Sequence, residues 1–389
     1  MTEKQVVLVD GVAGYWGRRV AERLIAQGDV HVIGLDAEPP SETLDGLDFI
    51  QADIRNPALI DLFREEHVDT LCHLAFHESV RPSETAFEFN VMGTTKVFAA
   101  AEANVRKIIY MSSTMAYGAE PSNSAFLREE HPLNGKRSYG YVRDWVETEG
   151  FCNGFRGQAT NVMLTVLRFA QIVGTQCDTP LTRFLREETA PLLMGFDPMM
   201  QVIHEDDVVA ALVHAVEHDV PGVFNVAADK PLPLMKIVGL SGKLPLPVLH
   251  PLAYTAVSMV GSNIAPIDLN YLRYPVVGDL RRMREELEFT PQYTAEEALR
   301  EFAAQQRLRQ YVPEASALAF DEQRLRDTIE RRKRARQMAE QQAAVPPRRR
   351  ARRARVVEVE QLAAEASNGD ASVMEEPNIV HEENGHGRD

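Results

Sequence analysis

Val6-Val7-Leu8-Val9-Asp10-Gly11-Val12-Ala13-Gly14-Tyr15-Trp16-Gly17 lies near the start of the chain, and its reading decides the fold. Four apolar residues running into a glycine-punctuated turn describe a buried parallel strand feeding a helix, here Arg18 to Gln27. Gly11 permits the tight turn. Gly14 lets a pyrophosphate approach backbone N–H groups at the positive end of the helix, and Gly17 lets that helix pack close to the strand. A second apolar run, Val30 to Leu35, ends in Asp36, nineteen residues after Gly17. A carboxylate there accepts hydrogen bonds from a ribose 2′-OH and repels a 2′-phosphate. No arginine or lysine intervenes before Pro39-Pro40, so NAD is favoured over NADP as cofactor.

Working outward, short apolar strands are expected at Asp48–Gln51, Thr70–Leu74 and Lys107–Met111, with helical stretches at Pro57–Glu66 and Ser83–Asn104 between them. Strands alternating with helices imply an α/β fold, a Rossmann-like doubly wound parallel sheet.

At this point the chain resembles the extended short-chain dehydrogenase/reductases of the NAD-dependent epimerase/dehydratase type. The matching pieces occur in family order over about residues 5–310. They are Gly11-Gly14-Gly17, Asp36, Asp53-Ile54, His73-Leu74-Ala75, Asn90-Val91-Met92-Gly93-Thr94, Ser112 to Gly118, Tyr139-xxx-Arg143, Leu167 to Gly174, His204 to Val208, and Phe224 to Ala227. The resemblance implies that NAD is held by Gly11, Gly14, Tyr15, Trp16, Gly17, Asp36, Asp53, Ile54, Leu74, Ala75, Asn90, Tyr139, Arg143 and Phe169. It also implies a homodimer through two helices, near Ser83–Asn104 and Tyr139–Arg156.

In such a family a helix-borne tyrosine takes a proton from a substrate hydroxyl while hydride moves to the nicotinamide, and a neighbouring serine or threonine bonds the same oxygen. By motif these are Tyr139 and Ser113. A phenol titrates near 10, and lowering it to about 7 needs about 4 kcal/mol of phenolate stabilisation, which a cation one helical turn away helps to supply. The family uses lysine for this; here the position is Arg143, whose bulkier, delocalised fork reaches differently. Shifting the register to Tyr141 places Trp145 four residues on, which offers no cation. The resemblance to 4,6-dehydratases stops at Thr114-Met115, where those enzymes carry an Asp-Glu pair, so dehydration is disfavoured. Gln171 and Arg183 are the substrate-side candidates, with Arg186 a second basic residue on the same expected helix.

Other features read more plainly. His73 and His77 span a strand end and a loop, so no metal site is expected there. Glu205-Asp206-Asp207 precede an apolar helical run and suit its positive end. Cys72, Cys152 and Cys177 have no metal spacing and fit a reducing compartment. The stretch Val248–Ala265 reads as a core helix of a small domain, or alternatively as an apolar wall for a steroid-like or lipid-like substrate.

Of the 389 residues 44% are apolar, enough for a large core and a smaller lobe. No charged-then-apolar leader precedes the first strand and no apolar run has membrane length, so a cytoplasmic location is expected. Residues 316–389 hold fourteen basic and fourteen acidic residues, leaving the whole net charge of −15 on residues 1–315 and arguing against general nucleic-acid binding. Within that tail, residues 331–355 carry eleven basic residues against one acid, including the run Arg348 to Arg355. A polar helix is expected over 317–344, stopped by Pro346-Pro347 and followed by a disordered charged tail whose 348–355 segment offers a contact for acidic partners. The expected domains are 1–174 with 201–228 returning to it, a substrate lobe from 175–200 and 229–315, and the tail from 316. The function expected is a sugar-nucleotide epimerase. The alternatives are a dehydrogenase of a sugar or hydrophobic alcohol, and a non-catalytic NAD-responsive binding protein.

Overall fold

The computed structural model describes residues 4–159, 161–249, 267–311 and 324–333. The apolar run at Val6 becomes β1 (Gln5–Asp10), where Val7, Leu8 and Val9 are fully buried. The glycine turn delivers the chain into α1 (Tyr15–Gln27), which ends at Gly28 in the left-handed conformation, φ 79°. Then follow β2 (Val30–Asp36), β3 (Asp48–Gln51), α2 (Leu59–Glu65), β4 (Thr70–His73), α3 (Glu84–Phe87), α4 (Gly93–Glu102), β5 (Lys107–Ser113), α5 (Gly140–Gln158), β6 (Met163–Phe169), α6 (Pro180–Arg186), α7 (Glu205–Glu217) and β7 (Gly222–Val226).

The seven strands form one parallel sheet in the order β7-β6-β5-β4-β1-β2-β3. Parallel strands are covered on both faces, which is why β1, β4 and β5 read as apolar runs rather than as alternations. One face packs on α1 and α7 through Val20, Leu24, Val208 and Leu212. The other packs on α2, α4 and α5 through Phe63, Phe98 and Phe155. Strand order reverses between β1 and β4, and a crevice opens at the carboxyl ends of strands at such a switch.

The helical stretch expected over Ser83–Asn104 is divided by a wide π-turn at Glu88–Met92. Gly93 explains the close approach that follows, since a Cβ there would lie 2.7 Å from Ile54 Cδ1. The later segments pair with one another, Leu244–Val248 running parallel to Thr189–Leu193, around a third cluster that includes Leu181, Phe184, Ile237 and Phe302. Val202–His204 pairs instead with Gln171–Val173, and α7 then joins the large sheet.

The chain divides into two compact units, Met1–Tyr311 and Val312–Asp389. In the second, 324–333 is an exposed helix, within the expected 317–344; the rest of that stretch and the basic run 348–355 lie outside the described residues. So does residue 250 onward of the apolar stretch 248–265. The three cysteines are buried free thiols. Among the described residues no helix is long and apolar enough to cross a membrane.

Candidate functional site

Two clefts meet over the carboxyl end of β4. The first is lined by Gly11, Ala13, Gly14, Asp36, Ala37, Glu38, Ile54 and Phe89, and shares Leu74, Ala75 and Phe76 with the second. Its floor requires glycine: Gly11 has φ +67°, and a Cβ there would sit 2.7 Å from the Ala75 nitrogen. A Cβ on Gly17 would collide with the Gly11 carbonyl, so the helix can pack this closely only without one. Asp36 is held over the turn, its carboxylate accepting from the Ala13 N–H at 3.0 Å and the Glu38 N–H at 3.3 Å. Each carboxylate oxygen keeps a further lone pair for a ribose hydroxyl.

The strand ends are locked from below. Buried Asp10 accepts from the Leu74 and Ala75 N–H groups at 2.7 and 2.8 Å, and its other oxygen lies 2.5 Å from His73 Nδ1. His73 Nε2 lies 2.8 Å from Thr94 Oγ1. This histidine is therefore bound into the framework beneath the turn.

The second cleft has a cavity volume of about 200 Å³ and holds Ser113 at the end of β5, with Trp16, Phe169 and Gln171. Ser113 is mostly buried, and its Oγ accepts from the Met115 N–H at 3.2 Å. Phe76, Tyr110, Met115 and Trp145 complete an aromatic and apolar wall, and Glu78, Asp178 and Thr179 stand among its polar lining.

The start of α5 is fixed by the loop before α3. The Gly140 and Tyr141 N–H groups donate to the Val80 and Ser79 carbonyls at 2.9 and 2.8 Å. A Cβ on Gly140 would come within 2.5 Å of the Arg81 carbonyl, so this contact also needs glycine. That anchoring sets the helix register, and Tyr141, Trp145 and Glu149 then share one face at i, i+4 spacing. Glu149 Oε2 accepts two bonds from Arg168, from Nε at 2.8 Å and Nη2 at 2.5 Å, and its Oε1 accepts one from Ser112 Oγ. Arg168 also donates to Tyr117 Oη, whose phenol is pushed up to about 12, chiefly by burial.

Arg143 lies two residues before Trp145, about 200° round the helix. This residue, expected to hold the cofactor ribose and bias Tyr139, is turned toward α3 in the structure. Its Nε donates to Asp144 at 2.8 Å and Nη2 to the Ser83 carbonyl at 2.8 Å, while the guanidinium lies 4.7 Å over the Phe87 ring. Asp144 is completely buried, and its other oxygen accepts from Asn90 Nδ2 at 2.8 Å. The physical reason for the orientation is that buried carboxylate, which requires a counter-charge.

Tyr139 packs edge-on to Tyr141, with ring centroids 6.0 Å apart, in the cluster of the later segments. Burial and then the Asp268 charge push its phenol up, the opposite of the shift a proton acceptor needs. Neither Tyr139 nor Arg143 lines either cleft.

Four other expected site residues are not among the lining residues and are held by partners within the protein. Tyr15 donates to Glu205 at 2.5 Å. Asp53 is paired with Arg55, which holds its carboxyl below the usual range. Asn90 clamps the backbone of His77, accepting from its N–H and donating to its carbonyl. Arg183 is bound to Glu78 and Asp178. The structure thus brings Gly11, Gly14, Trp16, Asp36, Ile54, Leu74, Ala75, Ser113, Phe169 and Gln171 to the clefts. Trp145 and Phe76 also line the second cleft, and the i, i+4 row from Tyr141 is the sequence signal for Trp145.

Comparison with known proteins finds the following similarities. A family model described as "NAD dependent epimerase/dehydratase family" matches residues 7–227. An uncharacterised protein of Mycobacterium tuberculosis (strain ATCC 25618 / H37Rv) is 32% identical over 314 residues, covering 77% of this chain and 83% of the relative. A UDP-glucose 4-epimerase of Mycolicibacterium smegmatis is 35% identical over 163 residues, 38% of this chain and 50% of that protein. Among solved structures, a short-chain dehydrogenase/reductase superfamily protein from Agrobacterium tumefaciens with bound NAD superposes with TM-score 0.60 at 24% identity. The alignment covers 78% of this chain and 98% of that one. A UDP-glucuronic acid 4-epimerase from Bacillus cereus gives TM-score 0.62 at 18% identity, with 78% and 99% coverage.

Proposed function

The chain belongs to the NAD-dependent epimerase/dehydratase family, and from that membership we propose that it inverts a hydroxyl-bearing carbon of a sugar nucleotide by transient oxidation. NAD is the family's cofactor, and the glycine floor and Asp36 suit it. In this reading the adenosine half occupies the first cleft, and the nicotinamide half crosses the strand-order switch into the second. Bound there, the cofactor supplies a reversible hydride acceptor.

The observation that carries the reading is the continuity of the crevice from Asp36 across Leu74 and Ala75 to Ser113 and Gln171. Ser113 holds the substrate oxygen at the end of β5, and Gln171 donates to a second substrate oxygen. Tyr139 takes the hydroxyl proton and returns it. For that step its side chain must leave its packing against Tyr141 and enter the cleft; Arg143 stays with Asp144.

Incubation of the full chain with a panel of UDP-sugars and chromatographic analysis of the products tests the proposal. An epimer formed without net NADH is the expected result, and Tyr139→Phe should lower the turnover at least a hundredfold, the usual scale of general acid–base catalysis. Stoichiometric NADH release would point to a dehydrogenase of the same substrate class. Full activity in Tyr139→Phe would refute the assignment of the proton carrier.

Trp145 favours a second reading, a non-catalytic protein that binds NAD and responds to it. This side chain stands in the cleft one helical turn after Tyr141, while the arginine nearby is committed elsewhere. NAD binding with no turnover on any sugar nucleotide would favour it.

A further inference from the structure

The second cleft is walled by the rings of Trp16, Phe76, Tyr110, Trp145 and Phe169. Phe76 and Trp145 stack with centroids 5.3 Å apart and planes 13° from parallel, and Tyr141 meets the indole edge-on at 5.5 Å. Among the described residues no lysine or arginine lines the cleft. The nearby guanidiniums are occupied: Arg143 with Asp144, and Arg183 and Arg186 with Asp178, Arg183 also with Glu78. His73 faces the Asp10 carboxylate. A ring entering this space therefore meets π-systems and a locally neutralised ion cluster, with no unpaired cation among the described lining residues.

A nicotinamide ring is cationic when oxidised and neutral when reduced. We infer that this cleft holds NAD⁺ more tightly than NADH, and that Trp145 is the residue that sets the preference. The inference rests on the placement of the nicotinamide half in this cleft. Aromatic rings attract a desolvated cation by their quadrupoles on a scale that corresponds to about a three- to thirtyfold affinity difference. The arrangement has a chemical consequence. A tenfold preference for the oxidised form lowers the potential of the bound couple by about 30 mV. Return of hydride to a keto intermediate is thereby favoured over its accumulation.

Calorimetric titration of the full chain with NAD⁺ and with NADH tests this. Fluorescence gives an independent readout, because the chain's two tryptophans, Trp16 and Trp145, line the same cleft. The expected ratio of dissociation constants, NADH over NAD⁺, is about three to thirty. It should fall to one or below in Trp145→Lys and be largely kept in Trp145→Phe, with circular dichroism confirming that both are folded. A ratio of one or less in the unmodified chain overturns the inference. So does a ratio unchanged in both Trp145→Lys and Trp145→Leu. If neither form of the cofactor binds or quenches, the placement of NAD in the crevice falls as well, and that failure is distinguishable from equal binding of both.

Discussion

Arg143→Ala is the substitution that separates a catalytic arginine from a structural one. In the structure the Arg143 side chain is 13% exposed and its partner Asp144 is fully buried. Removing one member of a buried pair typically costs about 3–5 kcal/mol, because the remaining charge has no compensation. Asn90 still donates to the other Asp144 oxygen, so the lower part of that range, about 3 kcal/mol, is expected. At about 2 °C per kcal/mol for a unit of this size, the melting temperature should drop by about 6 °C. Asp144→Asn should restore most of the loss, since an amide needs no counter-charge, and the double-mutant cycle should show coupling of about 1–3 kcal/mol. Differential scanning calorimetry and urea titration give the stability, and calorimetric titration at a temperature where all variants are folded gives NAD affinity. NAD affinity should change less than about threefold, a difference below 1 kcal/mol. A stable Arg143→Ala protein that has lost NAD binding would refute the reasoning and return Arg143 to the cofactor ribose.

Three further outcomes follow from the site. Gly11→Ala should abolish measurable NAD binding and destabilise the fold by more than about 1 kcal/mol, because φ is +67° and the methyl meets the Ala75 backbone; titration and thermal melts check both. Asp36→Ala should weaken NAD by about ten- to a hundredfold, the scale of a lost charge-assisted hydrogen bond, and narrow its advantage over NADP in parallel titrations. Burial alone would raise the Glu205 carboxyl, but bonds from Tyr15 and from the Cys177 and Thr175 N–H groups outweigh it and hold it below its ordinary value. Its contribution to stability is therefore fully present above about pH 4.3 and is lost as pH falls through the lower folded value. Urea titrations between pH 3 and 6 should show a shallower acid loss in Glu205→Gln than in the unmodified chain.

How far the sequence could be read depended on whether a motif constrained backbone or side-chain direction. Gly11, Gly17 and the apolar runs of β1, β4 and β5 report backbone geometry directly. A missing Cβ and a doubly buried strand leave few alternatives, so sheet and turn were both legible. The α5 region was different. Tyr139-xxx-Arg143 and Tyr141-xxx-Trp145 both satisfy i, i+4 spacing, and spacing alone cannot say which row faces the sheet. That choice is made by partners that the spacing does not specify. The Ser79 and Val80 carbonyls anchor the helix start, Arg168 requires a carboxylate at Glu149, and buried Asp144 draws Arg143 to the other side. A residue next in sequence to Arg143 thus settles its direction through burial, which composition does not reveal. Arg183 shows the same limit: its charge marks it as a substrate-side candidate, and the structure pairs it with Glu78, more than a hundred residues earlier. Charge and spacing identify what a side chain is able to bind. Only the desolvated neighbours decide what it does bind, and here they turn Arg143 to Asp144 while the Trp145 indole lines the cleft.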